Sequence, residues 1–203
     1  MCIRDRNNDI KLKEDYIDRL TVFLKENPSA KIVATKEYNY NGKKLVSYSD
    51  GIDFLGYGCK YQKGKVHLAP GCAFIIEKEL FFKLGGFDEK MFIFHEEIDL
   101  CWRAYLVGER PYMAPECIFY HFTGGAIPTW STNRRYLGER NNIRSILKNY
   151  SYPTLIFIVP IYIMVNFFEV IYLLLTGQIK PILNSYFKAV SYTHLRAHET
   201  SLH

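Results

Sequence analysis

No Cys-x-x-Cys pair occurs in this chain. Its cysteines are scattered, and Cys72 and Cys101 sit inside apolar runs, where a thiol behaves as a small hydrophobe. A disulfide framework is therefore not expected, and a reducing compartment is. There is also no long Lys/Arg run and no basic stripe interleaved with aromatics. The net charge of +5 is mild for 203 residues, which argues against nucleic acid as a partner. Apolar material is not lacking. At 48% hydrophobic and 16% aromatic, the chain can bury the core of one ordinary domain with an appendage.

Both ends read as foreign to the fold. Met1 to Arg6, and the run from about Val190 to His203, resemble translated sequencing-library adapters and are set aside at this stage. On that reading residues 1–6 and 190–203 are scars, and neither Met1 nor His203 is a natural terminus. His194, His198 and His203 fall in the closing scar, which removes a His-rich metal tract and leaves His67, His95 and His121.

Between the scars, periodicity predicts alternating helices and strands. Leu12, Tyr16, Ile17, Leu20, Phe23 and Leu24 recur at helical spacing, so a helix is expected over 11–26, closed by Pro28. Lys31–Thr35 reads as a strand. Asn41-Gly42 predicts a hairpin joining 37–40 to 44–48. Residues 50–66 read as a long surface loop. A strand is expected over 67–76, a short helix over 77–84 ended by Gly85-Gly86, and a helix over 96–107 stopped by Gly108. Two strands, 110–114 and 116–121, are expected around Pro115. This alternation implies α/β architecture.

Leu155–Leu175 is a 21-residue apolar run interrupted by Pro160, Asn166 and Glu169. As a helix it would be roughly 31 Å long, about the thickness of the hydrocarbon core. Spanning the membrane, lying at its interface and packing in a soluble core all remain open, since Glu169 disfavours lipid unless paired. Arg134, Arg135, Arg140, Arg144 and Lys148 precede the run, while Lys180 and Lys188 follow it. By the positive-inside rule the side before the run is cytoplasmic.

The densest polar cluster is Glu96-Glu97-Ile98-Asp99, opening a helix. Carboxylates there are favoured by the helix dipole, which is explanation enough for their presence. Spacing adds more. Glu96 and Asp99 share a face, and Asp99 can pair with Arg103 one turn on, which leaves Glu97 on a different face, placed to act as a general base.

Taken in order, several motifs resemble one family. Gly85-Gly86-Phe87-Asp88-Glu89, Phe92, Glu96-Glu97-Ile98-Asp99-Leu100-Cys101-Trp102-Arg103 and His121 resemble the C-terminal signature of family 2 glycosyltransferases, closest to rhamnosyltransferase-like members. Pro70-Gly71-Cys72-Ala73-Phe74-Ile75-Ile76 is similar to the family's Pro-Gly-small-residue strand, and Asn7-Asn8-Asp9 to a variant of its metal-binding D-x-D motif. The resemblance covers residues 7–150. It implies an α/β fold, a truncated GT-A (Rossmann-like) domain over 7–150 whose nucleotide-binding front precedes Asp9. A hydrophobic membrane segment follows over 151–189. These residues alone are then expected to be inactive.

The implied activity is transfer of a sugar, with inversion, from a nucleotide-sugar donor (UDP- or dTDP-linked) to a lipid-linked or polysaccharide acceptor in cell-envelope glycan synthesis. It would take place at the cytoplasmic face of the cell membrane. The alternative is a catalytically inactive relative serving as a membrane-bound binding module. By the resemblance, Asp9 holds magnesium or manganese on the donor diphosphate, and Asn7 stands where relatives carry the first Asp of D-x-D. His121 either completes the metal site or is a hydrogen-bonded core histidine. Glu97 matches the catalytic base, with Glu in place of the usual Asp, while Glu96 and Asp99 bind acceptor or hold the helix. Gly71 and Cys72 either line the acceptor pocket or belong to a close-packed strand. Trp102 is expected to pack, and His95 to face solvent.

Overall fold

A computed structural model describes residues 2–6, 9–47, 50–60, 68–122 and 132–176. Asn7, His67, Gly124-Gly125 and the closing segment from 177 onward lie outside the described residues. The chain divides into two compact units, 1–126 and 127–203, so residues 127–150 group with the apolar helix and not with the sheet.

The first unit is a mixed α/β structure. Its strands are β1 (Cys2–Arg6), β2 (Ile10–Leu12), β3 (Ile32–Asn39), β4 (Leu45–Ser47), β5 (Asp50–Ile52), β6 (Gly58–Lys60), β7 (Ala73–Glu77) and β8 (Pro111–His121). Its helices are α1 (Tyr16–Glu26), α2 (Lys78–Lys83) and α3 (Glu96–Leu106). The main sheet runs β1-β7-β3-β8-β2, with β4 paired to β3; β5 and β6 form a separate ribbon. β3 and β8 are parallel, and β7 is antiparallel to β3.

Side-chain alternation explains why the sheet is covered on both faces. Ile32 and Ala34 of β3, with Phe74 and Ile76 of β7, face a core completed by Leu80 of α2 and by Ile98, Leu100, Cys101 and Ala104 of α3. The intervening Val33, Ala73 and Ile75 face the other way, onto Tyr16 and Leu20 of α1 and onto Cys117 and Phe119 of β8. Two runs of consecutive buried residues thus feed two cores through the period of two.

Several elements depart from the sequence reading. Cys2–Arg6, set aside as a scar, pairs along its main chain with β7, from Cys2↔Glu77 to Arg6↔Ala73. The expected helix over 11–26 starts only at Tyr16, because Ile10–Leu12 satisfies its backbone against the β8 edge, Ile10 opposite His121. The expected loop over 50–66 contains the β5–β6 ribbon. There the Asp53 carboxylate accepts the N–H groups of Leu55 and Tyr57, each at 2.9 Å, and closes the turn. Pro115 does not split its strand. β8 absorbs it in an irregularity, with pairing to β3 jumping from Thr35↔Ala114 to Lys36↔Ile118. Proline lacks the N–H that a regular ladder would need, and a bulge removes that demand.

The second unit is a helical hairpin of α4 (Thr132–Asn149) and α5 (Tyr152–Leu175). Pro153 sits in the first turn of α5, where its missing N–H costs nothing. Tyr152–Tyr172 is long and apolar enough to cross a membrane, and only 6% of its most apolar window is buried. The polar interruptions of α5 turn toward α4. The Tyr162 hydroxyl donates to Glu139 at 2.7 Å, Glu169 ion-pairs with Arg135, and Asn166 caps the Tyr162 carbonyl at 2.8 Å.

Candidate metal and acceptor site

β3 and β8 run parallel, and polar side chains collect where both strands end. In open α/β sheets this is the end where ligands bind. Glu37 and His121 lie near the C-terminal ends of β3 and β8, on the α1 face. Asp9 comes beside them because β2 pairs with the end of β8, and the Phe122 N–H donates to the Asp9 carbonyl at 3.0 Å. β7 is antiparallel, so its start lies at the same end and brings in Gly71 and Cys72. Glu97 enters from the first turn of α3.

His121 is the hub. Its Nδ1 lies 2.7 Å from Glu37 Oε1, and its Nε2 faces Asp9 Oδ1 at 3.5 Å. Its pKa is raised, first by the hydrogen bond to Glu37. Burial opposes this, and the Glu37 and Asp9 charges reinforce it. Glu37, Cys72 and His121 each bring a ligand atom within 4.8 Å of one another. The Cys72 thiol is pushed far above the ordinary range, by burial first and then by the carboxylates of Glu37, Glu97 and Asp9. Without a cation beside it the thiol therefore stays protonated and is no nucleophile.

Asp9 Oδ1 is buried and, among the described residues, has no hydrogen-bond partner. At 3.5 Å the imidazole is too distant to satisfy it. Two ligands of a single cation, each bonded at about 2.1 Å, stand roughly 3.0–3.5 Å apart. The unsatisfied oxygen and Nε2 thus fit a divalent cation. Glu37 holding Nδ1 makes Nε2 the nitrogen that faces the ion when the ring is neutral. One imidazole beside carboxylates suits manganese better than magnesium, which prefers oxygen throughout.

Gly71 and Glu97 are in contact. A Cβ built on Gly71 would lie 3.1 Å from Glu97 Cδ and 3.3 Å from its Cβ and Cγ. The missing side chain is what lets the carboxylate pack against this turn. Asp99 has a different place. It is fully buried, and Arg103 Nη2 and Nε meet it at 2.7 and 2.8 Å. Arg103 also donates to the carbonyls of Leu84 and Gly86, in the turn where Gly85 and Gly86 take left-handed φ of 81° and 70°. Asp99 therefore holds α3 to that turn. Glu96, one residue before Glu97, has a buried Oε2. Trp102 is buried, as expected of a packing residue.

The approach to α3 is strained. Phe92, Phe94 and His95 have φ of 61°, 65° and 68°, a region that non-glycine residues enter only when their surroundings hold them there. His95, expected to face solvent, is largely covered, with its ring edge toward Tyr57 at 6.3 Å between centroids. Burial lowers its pKa to about 4, so it is neutral at ordinary pH.

Sequence reasoning missed Glu37, which was taken as an ordinary hairpin residue. The available signal was its phase: it follows Val33 and Thr35 on the buried face of β3. A carboxylate in register with core positions asks for a partner, and His121 is that partner. Comparison with protein-family models finds no match, and comparison with curated proteins finds none either.

Proposed function

We propose that the sheet unit is the acceptor and metal side of a GT-A glycosyltransferase of the family 2 type. It would move a sugar with inversion from a UDP- or dTDP-sugar to a lipid-linked or polysaccharide acceptor, at the cytoplasmic face of the cell membrane, with α5 as the anchor. The observation that carries this reading is the convergence at one sheet end of Asp9, His121, Gly71 and Glu97, four residues that the family resemblance names from separate stretches of sequence.

Asp9 and His121 would hold the cation, with Glu37 fixing the imidazole. When bound, a magnesium or manganese ion would neutralise charge on the departing nucleotide diphosphate. Glu97 would take the proton from the acceptor hydroxyl as its oxygen attacks the anomeric carbon in line, with the nucleotide diphosphate leaving from the opposite face. Gly71 and Cys72 would line the approach, and Cys72 would stay a neutral thiol there. Asp99 would act through Arg103, keeping the first turn of α3 in place, while Glu96 would lie at the acceptor side.

The test is an assay of the chain joined to the nucleotide-binding half that the resemblance implies ahead of Asp9. A panel of UDP- and dTDP-sugars with manganese and membrane extract would be compared between the parent and Glu97→Gln. Metal-dependent sugar transfer that collapses in Glu97→Gln supports both the transferase and its base. Transfer unaffected by the substitution moves the base to Glu96, and no transfer from any donor favours the inactive relative.

A further inference from the structure

We infer that the sheet end carries a second cation site, on the other nitrogen of His121, where Glu37, Cys72 and His121 Nδ1 would hold a thiophilic divalent ion of the zinc class. The cysteines show how Cys72 stands apart. Cys101 and Cys117 belong to the two buried hydrophobic cores, where a thiol serves as a small apolar group. Cys72 only flanks the second core, and the turn after Pro70 carries it to the polar end of the sheet. There its sulfur, a Glu37 oxygen and a His121 nitrogen lie within 4.8 Å of one another. The three come from separate elements, the turn before β7, β3 and β8. Asp9 is outside this set. It meets the imidazole from the Nε2 side at 3.5 Å, while Glu37 meets Nδ1 at 2.7 Å.

Ligand hardness and the tautomer of one ring divide the two sites. Manganese and magnesium favour oxygen, which suits the Asp9 side and leaves Cys72 a neutral thiol. Zinc bonds strongly to thiolate, which suits the Glu37 side. The ligands of one zinc ion stand roughly 3.3–3.8 Å apart, at bond lengths of about 2.0–2.3 Å, so shifts of about an ångström gather these three and leave a fourth position for water. As the ion binds, the thiol S–H bond breaks, sulfur keeps the electron pair for the metal and the proton passes to water. His121 then keeps its ring proton on Nε2, where the buried Asp9 Oδ1 accepts it. A neutral imidazole has one lone pair to give, so an ion on Nδ1 displaces an ion on Nε2. Zinc would thus switch off the metal-assisted transfer. That last step rests on the transferase reading, and the zinc site itself does not.

The experiment titrates cobalt, as a coloured stand-in for zinc, and then zinc itself into the full chain under reducing conditions. The parent is compared with Cys72→Ser and Cys59→Ser. Cobalt is expected to raise a sulfur-to-cobalt charge-transfer band in the near ultraviolet, retained in Cys59→Ser and absent from Cys72→Ser, and zinc is expected to erase it. Loss of a group that only orients a ligand costs about 10- to 100-fold in metal affinity, so loss of the Cys72 ligand is expected to weaken zinc at least about 100-fold. Far-ultraviolet circular dichroism checks that Cys72→Ser is folded. Glu37→Gln is a second variant, expected to weaken zinc while keeping the band at saturating cobalt. Electron paramagnetic resonance follows the exchange of ions. Zinc is expected to release bound manganese from the parent, and about 100-fold more zinc is needed to do so in Cys72→Ser. No band in the parent, a band surviving in Cys72→Ser, or equal zinc affinity in the two would overturn the inference. The two cation readings fail separately. A cobalt band without manganese binding keeps this site and removes the one at Asp9, whereas manganese bound equally by parent and Cys72→Ser with no cobalt band does the reverse.

Discussion

At Asp99 the polar accounting closes. Its carboxylate takes two donors from Arg103, and Arg103 also donates to the carbonyls of Leu84 and Gly86. At Asp9 it does not close. Oδ1 is buried, has no hydrogen-bond partner among the described residues, and points at an imidazole that Glu37 already holds from the other side. Both clusters lie in the same unit and contain carboxylates. A satisfied buried network holds the fold in one arrangement, whereas an unsatisfied buried oxygen has been desolvated without compensation and needs another reason to be there. The proposed cation would supply that reason at Asp9, and nothing comparable is called for at Asp99.

Substitution at Asp99 tests the structural half of this contrast. Asp99→Ala strands Arg103 as a partly buried cation and is expected to cost about 3–5 kcal/mol, read from the denaturant midpoint. Glu97→Gln, two residues away, is expected to leave that midpoint within about 0.5 kcal/mol while turnover falls roughly 10²- to 10⁴-fold. If both substitutions chiefly destabilise, the contrast between the two carboxylates fails.

How much of this could be read beforehand depended on distance along the chain. α2, α3 and α5 were legible because apolar periodicity and stopping glycines or capping prolines lie within a few residues of each other. α4 was not anticipated. Only a few aliphatic positions, Leu137, Ile143, Ile146 and Leu147, interrupt its polar surface, and its partner α5 supplies the reason it is a helix. β2 has three residues, too few to show a period, and its edge partner β8 lies over a hundred residues later. The site follows the same rule. Glu97 and Asp99 could be assigned different roles from spacing on one helix. The meeting of Asp9, Glu37 and His121 depends on sheet register, which no local pattern encodes.

His95 extends the contrast to an uncharged case. Its Nδ1 is also buried without a hydrogen-bond partner among the described residues, and burial lowers its pKa to about 4. The folded state therefore favours the neutral ring. Its contribution to stability is complete above the unfolded pKa near 6.5 and is lost as pH falls through about 4, amounting to about 3 kcal/mol at the acid limit. Chemical denaturation at pH 7, 5 and 4 is expected to show this loss in the parent and much less of it in His95→Asn, where asparagine also tolerates the left-handed φ of 68°. A smaller effect is expected at Glu37. Glu37→Gln keeps a hydrogen bond to His121 but removes the charge, and manganese affinity, measured by electron paramagnetic resonance, is expected to fall about 10- to 100-fold. Unchanged affinity would mean that the ion, if bound, does not depend on the His121 imidazole.

Gly71→Ala is the mildest change and the most direct probe of the acceptor side. Its φ lies outside the left-handed region, so alanine brings no backbone strain, and the three atoms nearest the added methyl all belong to Glu97, with Cδ at 3.1 Å and Cβ and Cγ at 3.3 Å. Glu97 must retreat by a few tenths of an ångström. A stability change under about 1 kcal/mol is expected, because the carboxylate end of a flexible side chain can give way. Turnover is more sensitive to position, since a displacement of about 1 Å at a reacting group can cost 10²-fold, so a loss of roughly tenfold in kcat is expected here. A loss confined to KM would instead place the methyl in the path of the acceptor. Unchanged kinetics would separate Gly71 from the reacting atoms and leave its contact with Glu97 as packing, on the same footing as Asp99 and Arg103.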